Sequence, residues 1–189
     1  MQEMLNNMVY IEKELIEKRR IIISSSIDAK VADRIMKQLL IMDDNNNEKN
    51  ITVYINSPGG DVFSGFAIYD MMQFIESPVI TLVTGFAASM GSIIMLAAEK
   101  GNRFALPNSK VLIHQPLIPG VFQGRATEIE IQAKEIDQTK QRIIDLYAKE
   151  TGKNKDQIAK DIDNDYWLTA EEACEYGLID KIIKNVKDI

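Results

Sequence analysis

The sequence predicts a single α/β domain, and three observations lead there. Its 189 residues fit the ~100–200 residues that one domain usually occupies. Of these, 46% are apolar, enough to build a substantial core. Short β-branched runs alternate with stretches of helical period along the whole chain, with no linker, repeat or low-complexity tract between them.

Taken in order, Lys18-Arg-Arg-Ile-Ile-Ile-Ser24 is a basic lead into a strand. Asp28 can cap a helix whose apolar positions Val31, Ile35, Leu39 and Met42 recur at helical spacing. The polar run 43–50 predicts a solvated turn, and 51–55 a strand that runs into Asn56-Ser-Pro-Gly-Gly60. A helix over 66–75 closes at Ser77-Pro78, and a buried strand covers 79–83. Gly85-Phe-Ala-Ala-Ser-Met-Gly91 then opens an apolar helix that stops at Lys100-Gly101. Two short strands follow, 103–106 and 110–114, and residues 115–124 form a loop with two prolines and two glycines. From 126 to 150 the pattern predicts one long helix, with Thr127 and Glu130 as a capping box and Gly152 as its stop. At ~1.5 Å per residue it extends about 37 Å. Its apolar stripe is narrow and charge-flanked, as suits a helix that projects or packs against a neighbour. Helices over 155–162 and 170–176, the second with a Thr169/Glu172 capping box, and a strand over 178–183 complete the chain.

Composition excludes several classes. Asp and Glu number 28 against 22 Lys and Arg, a formal charge of −6, which supplies no cation excess for nucleic acid. One cysteine, Cys174, and one histidine argue against a disulfide framework or a Cys/His zinc site, so no metal or other cofactor is expected. Cys174 reads as a small helix-face residue, and Met71, Met72 and Met95 as packing filler. The N-terminus has acids where a secretory leader needs a basic start, and no apolar run reaches the ~18–20 residues that span a bilayer. A soluble cytoplasmic protein, or one in a matrix-like compartment, with no membrane association is the expectation.

His114 is the only imidazole, so any imidazole base must be this one; it ends a strand at the rim of a sheet. Ser89 stands among alanine and glycine at a helix start, where small neighbours let the backbone turn sharply and unpaired N–H groups favour a developing anion. A capping serine is the plainer reading, but a cap does not require so many small neighbours. A serine hydroxyl needs an adjacent base to become a nucleophile. The two glycines ending Asn56–Gly60 can aim successive N–H groups at one oxygen. A third group must orient the imidazole, and Asp161, Asp163, Asp165 and Asp180 all lie downstream, with spacing alone unable to choose.

Tyr54-Ile-Asn-Ser-Pro-Gly-Gly60, Gly85-Phe-Ala-Ala-Ser-Met-Gly91, Arg103-Phe-Ala-Leu-Pro-Asn-Ser109 and His114-Gln-Pro116 resemble the signatures of the ClpP family, the proteolytic subunits of ATP-dependent Clp proteases. Gln123-Gly-Arg-Ala-Thr-Glu-Ile-Glu-Ile131 and Glu175-Tyr-Gly-Leu-Ile-Asp180 extend the resemblance over residues 20–183. It implies a crotonase-like fold in one serine peptidase domain, 20–189, with a handle region at about 115–150. Residues 1–19 would be a short segment in the place of the family's axial loops. It implies Ser89 as nucleophile, His114 as base and Asp165 as the orienting carboxylate, with the N–H groups of Gly60 and Met90 as oxyanion hole. It further implies two stacked seven-membered rings, unfolded polypeptide substrates and a separate AAA+ unfoldase such as ClpX, ClpA or ClpC. Tyr54, Phe74, Phe104 and Leu106 would line the cleft where the unfoldase docks. The chain has no Gly-x-x-x-x-Gly-Lys-Ser/Thr motif for hydrolysing ATP itself.

Some positions depart from the family pattern: about two extra residues in 117–123, Asn164 where arginine is common, and Thr52 in place of an aromatic. Two other readings remain at this point. One is an acyl-CoA hydratase or isomerase, whose related fold also holds an anion with paired N–H groups. The other is a non-catalytic ring subunit.

Overall fold

In the computed structural model, which describes residues 2–117, 120 and 123–189, with side-chain surroundings from residue 9, a helix α1 (Gln2–Glu17) leads into strand β1 (Arg20–Ile23). The succession continues α2 (Ala29–Asn45), β2 (Ile51–Ser57), α3 (Val62–Phe74), β3 (Val79–Ala88) and α4 (Met90–Met95). After β4 (Arg103–Ala105) and β5 (Lys110–Ile113) come the long α5 (Ala126–Thr151), then α6 (Lys155–Asp161), β6 (Tyr166–Thr169), α7 (Ala170–Tyr176) and β7 (Lys181–Ile182).

The sheet forks at β3. Its first half pairs in parallel with β4 in the order β1-β2-β3-β4-β7, Thr81 opposite Arg103. Its second half leaves β4 and pairs with β5, Phe86 opposite Lys110 and Ala88 opposite Leu112. β6 then adds antiparallel to β5, with Ile113 opposite Tyr166. The fork carries the end of β3 away from the main sheet and sets it beside the end of β5.

Alternation decides which face is covered. Ile51, Val53 and Ile55 of β2 point into the main core with Ile35, Leu39 and Met42 of α2 and Ile68 and Met72 of α3. Burying such side chains contributes roughly 1.5–3 kcal/mol each. The opposite face carries a smaller cluster of Ile80, Leu82, Phe104 and Ile183, with Tyr54 and Leu106 packed partly exposed against it.

Most expected elements form, with shifts that have local causes. Helix α2 continues to Asn45, because the Asp43 carboxylate is held by the Ser77 N–H (2.8 Å) and hydroxyl (2.6 Å) and so does not belong to a solvated turn. Helix α3 starts at Val62, not 66, since Asp61 accepts from the Ser64 N–H at 2.8 Å. Residues 85–88, expected to open a helix, are strand, because β5 offers them a partner; α4 is correspondingly short. The long helix is capped by Arg125 and Glu128, whose carboxylate accepts from the Arg125 N–H (2.9 Å) and Nε (2.8 Å), and not by Thr127 and Glu130. The Thr169/Glu172 box forms as expected, with bonds of 2.8 and 3.2 Å. The final strand shrinks to two residues, and α1 and β6 were not read from the sequence.

Only the C-terminal third of α5 is docked, through Ile143, Ile144, Tyr147 and Glu150; towards the other end Ile129 and Ile131 are exposed. The two extra residues read in 117–123 lie largely outside the described residues.

Candidate active site

Ser89 sits where β3 ends and α4 begins, at φ 54° and ψ −123°. A positive φ is uncommon for any residue with a Cβ and costs on the order of 1–3 kcal/mol, so the surroundings must impose it. They do so from both sides of the residue. The Ser89 N–H donates to the Leu112 carbonyl at 3.0 Å, and the Ser89 carbonyl accepts from the N–H groups of Ser92 (2.9 Å) and Ile93 (3.3 Å). The side chain makes no cap bond to its own helix, which removes the plain capping reading and leaves Oγ free.

That oxygen lies 2.8 Å from His114 Nε2. His114 follows β5 directly, and β5 lies against the end of β3, so the fork of the sheet makes this meeting. The other ring nitrogen, Nδ1, lies 3.1 Å from Asp165 Oδ1. Asp165 precedes β6, and antiparallel pairing of Ile113 with Tyr166 puts it across from His114. The register thus makes the choice among the four aspartates that spacing could not. A serine proton given to Nε2 leaves the ring proton on Nδ1, facing the carboxylate. The imidazole is largely sheltered, whereas the Asp165 side chain is 66% exposed.

Gln115 was not singled out from the sequence, yet it bridges both loops of the site. Its N–H donates to Ile162 O (2.7 Å) and its Nε2 to Asp163 O (2.8 Å), while its Oε1 accepts from Lys140 of α5 (2.8 Å). No sequence periodicity signals such a bridge; only its place next to His114 does. Asn164, beside Asp165, is exposed.

The Gly59-Gly60 turn is fastened to Ile27, whose N–H donates to Gly59 O and whose carbonyl accepts from the Asp61 N–H, both at 2.8 Å. Both glycines have positive φ, 86° and 152°. A Cβ on Gly59 would stand 2.6 Å from the Ala88 carbonyl oxygen and 2.7 Å from Ser89 Cβ, so this approach is open to glycine alone. Among the described groups, neither the Gly60 nor the Met90 N–H has an acceptor. Gly60, Ser89 and His114 border one groove of about 690 Å³, whose apolar wall includes Val62, Phe63 and Leu117 and whose far side is Ile136 of α5.

The expected docking residues divide. Tyr54, Phe104 and Leu106 meet in the smaller apolar cluster, while Phe74, at the end of α3, stands 77% exposed outside it. Cys174 is half-buried on α7, its sulfur 3.6 Å from the Asp180 carbonyl oxygen. Among the described residues no group of three or more His, Cys, Asp or Glu could hold a metal, and no helix is long and apolar enough to cross a membrane.

A strained serine, an imidazole and a carboxylate in one hydrogen-bonded line, beside unpaired N–H groups, can perform nucleophilic acyl transfer. Sequence comparison agrees with that chemistry. The pattern of the Clp protease family matches residues 3–186. The chain is 50% identical over 179 residues to ATP-dependent Clp protease proteolytic subunit 1 of Protochlamydia amoebophila, covering 95% of this chain and 87% of that one. It is 50% identical to proteolytic subunit 2 of Treponema denticola (94% and 88% covered) and 47% identical to proteolytic subunit 1 of Chlamydia pneumoniae (95% and 94%).

Proposed function

The chain belongs to the Clp protease family and is a serine peptidase, and from that premise we propose that Ser89 is its nucleophile, His114 its general base and Asp165 the carboxylate that orients the imidazole. The observation that carries the assignment is the continuous line Ser89 Oγ–His114 Nε2 at 2.8 Å and His114 Nδ1–Asp165 Oδ1 at 3.1 Å. Family membership sets aside the acyl-CoA hydratase reading.

In this mechanism His114 takes the Ser89 proton as Oγ attacks a peptide carbonyl, and returns it to the leaving amine. Asp165 holds the ring tautomer and stabilises the imidazolium. The N–H groups of Gly60 and Met90 receive the tetrahedral oxyanion, each worth ~3 kcal/mol when well aimed. Water then releases the acyl group by the same steps in reverse roles.

The chain acts as the proteolytic subunit of an oligomeric assembly served by an ATPase. Its finer form is two stacked heptameric rings enclosing the sites and fed with unfolded polypeptide by an AAA+ unfoldase of the ClpX, ClpA or ClpC kind, in the cytoplasm. Tyr54 and Leu106, partly exposed against the buried Phe104, with Phe74 exposed at the end of α3, support an apolar docking cleft on that face. The uncovered half of α5 supports the handle role between rings. Residues 1–19 precede the peptidase domain of 20–189, and α1 occupies most of them.

Ser89→Ala tests the assignment. Cleavage of a fluorogenic peptide and labelling by a fluorophosphonate should both vanish while sedimentation shows the assembly unchanged. Parent-level turnover in that variant would refute it.

A further inference from the structure

Ser92 lies one helical turn into α4, fully buried, and the proposed mechanism gives it no part. Its hydroxyl sits 2.6 Å from the Ser89 carbonyl oxygen and 2.7 Å from the Tyr147 hydroxyl. A serine hydroxyl has one proton. The Ser89 carbonyl can only accept, so the Ser92 proton goes there and Tyr147 must donate to Ser92. Burial pushes the Tyr147 phenol well above its ordinary pKa, against the lowering effect of Ser92, which keeps it a donor throughout the working pH range. The result is a directed chain, Tyr147 O–H to Ser92 O–H to the Ser89 carbonyl.

That carbonyl belongs to the same peptide unit as the Met90 N–H. In a planar trans peptide the C=O and N–H point in opposite directions. Three donors, the N–H groups of Ser92 and Ile93 and the Ser92 hydroxyl, draw the Ser89 oxygen into the first turn of α4. The Met90 N–H is thereby turned out of the helix, and it finds no acceptor among the described residues. The hydroxyl is the donor with freedom to be lost by mutation; the other two are backbone. We propose that Ser92 and Tyr147 are positioning residues for the oxyanion, fixing the Ser89–Met90 peptide plane and linking it to the docked end of α5.

This inference rests on the assignment of Ser89 and Met90 above. It is tested in the full-length assembled protein with Ser92→Ala, Tyr147→Phe and the double variant. Each is measured for peptide turnover and for inhibition by a peptide boronate, which forms a tetrahedral anionic adduct on Ser89. A complete oxyanion donor is worth ~10²–10³ in kcat, so a misaimed one should cost Ser92→Ala roughly 10–30-fold in kcat at unchanged KM. Boronate affinity should fall by the same factor. Tyr147→Phe should lose roughly 3-fold, and the double variant should match Ser92→Ala, because the phenol acts only through the hydroxyl.

Ser92→Ala strands a buried phenol without its acceptor, a stability cost of its own. The double variant strands nothing, so it decides the question if the single variant folds poorly. Loss of kcat without loss of boronate affinity, a rise in KM alone, or additive losses would overturn the proposal. An inert Ser89→Ala beside a fully active Ser92→Ala overturns this inference alone, whereas an active Ser89→Ala overturns the reading beneath it.

Discussion

Gly59→Ala is a direct probe of how the site is held, because the new atom would meet the nucleophile's own backbone. Its Cβ would stand 2.6 Å from Ala88 O, 2.7 Å from Ser89 Cβ and 2.9 Å from Met90 N. Carbon contacts settle at ~3.5–4.0 Å, so roughly 1 Å must be opened between two backbone segments. One segment is fastened to Ile27 and the other to Leu112, so neither can yield cheaply. Placing an L-residue at φ +86° adds ~1–2 kcal/mol, and overpacking adds ~1–3 kcal/mol, for a total stability loss of about 2–5 kcal/mol. A displacement of about 1 Å between reacting groups costs ~10²-fold in rate. Gly101→Ala is the control: its φ is +99°, yet nothing lies within 4 Å of the new Cβ, so it carries the conformational cost alone. Thermal unfolding and kcat/KM on a fluorogenic peptide, read for both variants, separate the two effects. Gly101→Ala should lose ~1–2 kcal/mol and keep its activity, while folded Gly59→Ala should lose about a hundredfold. Activity within threefold of the parent in folded Gly59→Ala would refute the close-approach argument.

Two further outcomes concern charge. Arg103 is buried, donating to Ala98 O (2.7 Å), Leu96 O (3.1 Å) and Glu150 Oε2 (2.6 Å), and its Nη1 has no partner among the described residues. Glu150→Ala leaves that cation unpaired and should cost ~3–5 kcal/mol in denaturant unfolding at matched protein concentration, with Glu150→Gln costing less; a loss below about 1 kcal/mol would show that the pair carries little. Burial pushes the Glu150 carboxyl up, but its bonds and charge contacts with Arg103 and Lys149 outweigh this and hold it below the usual range. Burial likewise pushes Asp43 up, and its bonds from Ser77 and Glu76, helped by Arg19, bring it below. A carboxylate with a lowered native pKa stabilises fully above its unfolded value of about 4 and loses that contribution as pH falls through the native value. The unfolding midpoint should therefore fall steeply below pH ~4, and the fall should be shallower in Asp43→Asn; an unchanged slope in that variant would exclude Asp43 as a source.

The sequence made the chemistry of this chain more legible than its geometry. A single imidazole and a serine among small residues were visible because scarcity and composition are local properties. Spacing did not choose among the four aspartates, and Asp165 came only from the family resemblance, since its place depends on β6 pairing antiparallel with β5 and no property of residues 163–169 announces a partner more than fifty positions away. The strand over 85–88 was missed for the same reason: Phe86-Ala-Ala reads as helix until β5 is there to pair with it. Helix α1 was missed although Met4, Met8, Ile11 and Leu15 recur at helical spacing. Capping boxes divided instructively. Thr169/Glu172 followed its pattern, whereas at α5 an arginine with no acceptor to offer took the cap position, and its neighbour Glu128 made the bonds.

The groups assigned to the proposed reaction come from residues 60, 89–90, 114 and 165, stretches that only the pairing of β5 with β3 and of β6 with β5 brings together. Under that assignment, a chain in which β6 has not yet paired leaves the imidazole without the carboxylate behind it, so peptidase activity on refolding should arrive with the completed sheet and not with the first collapse.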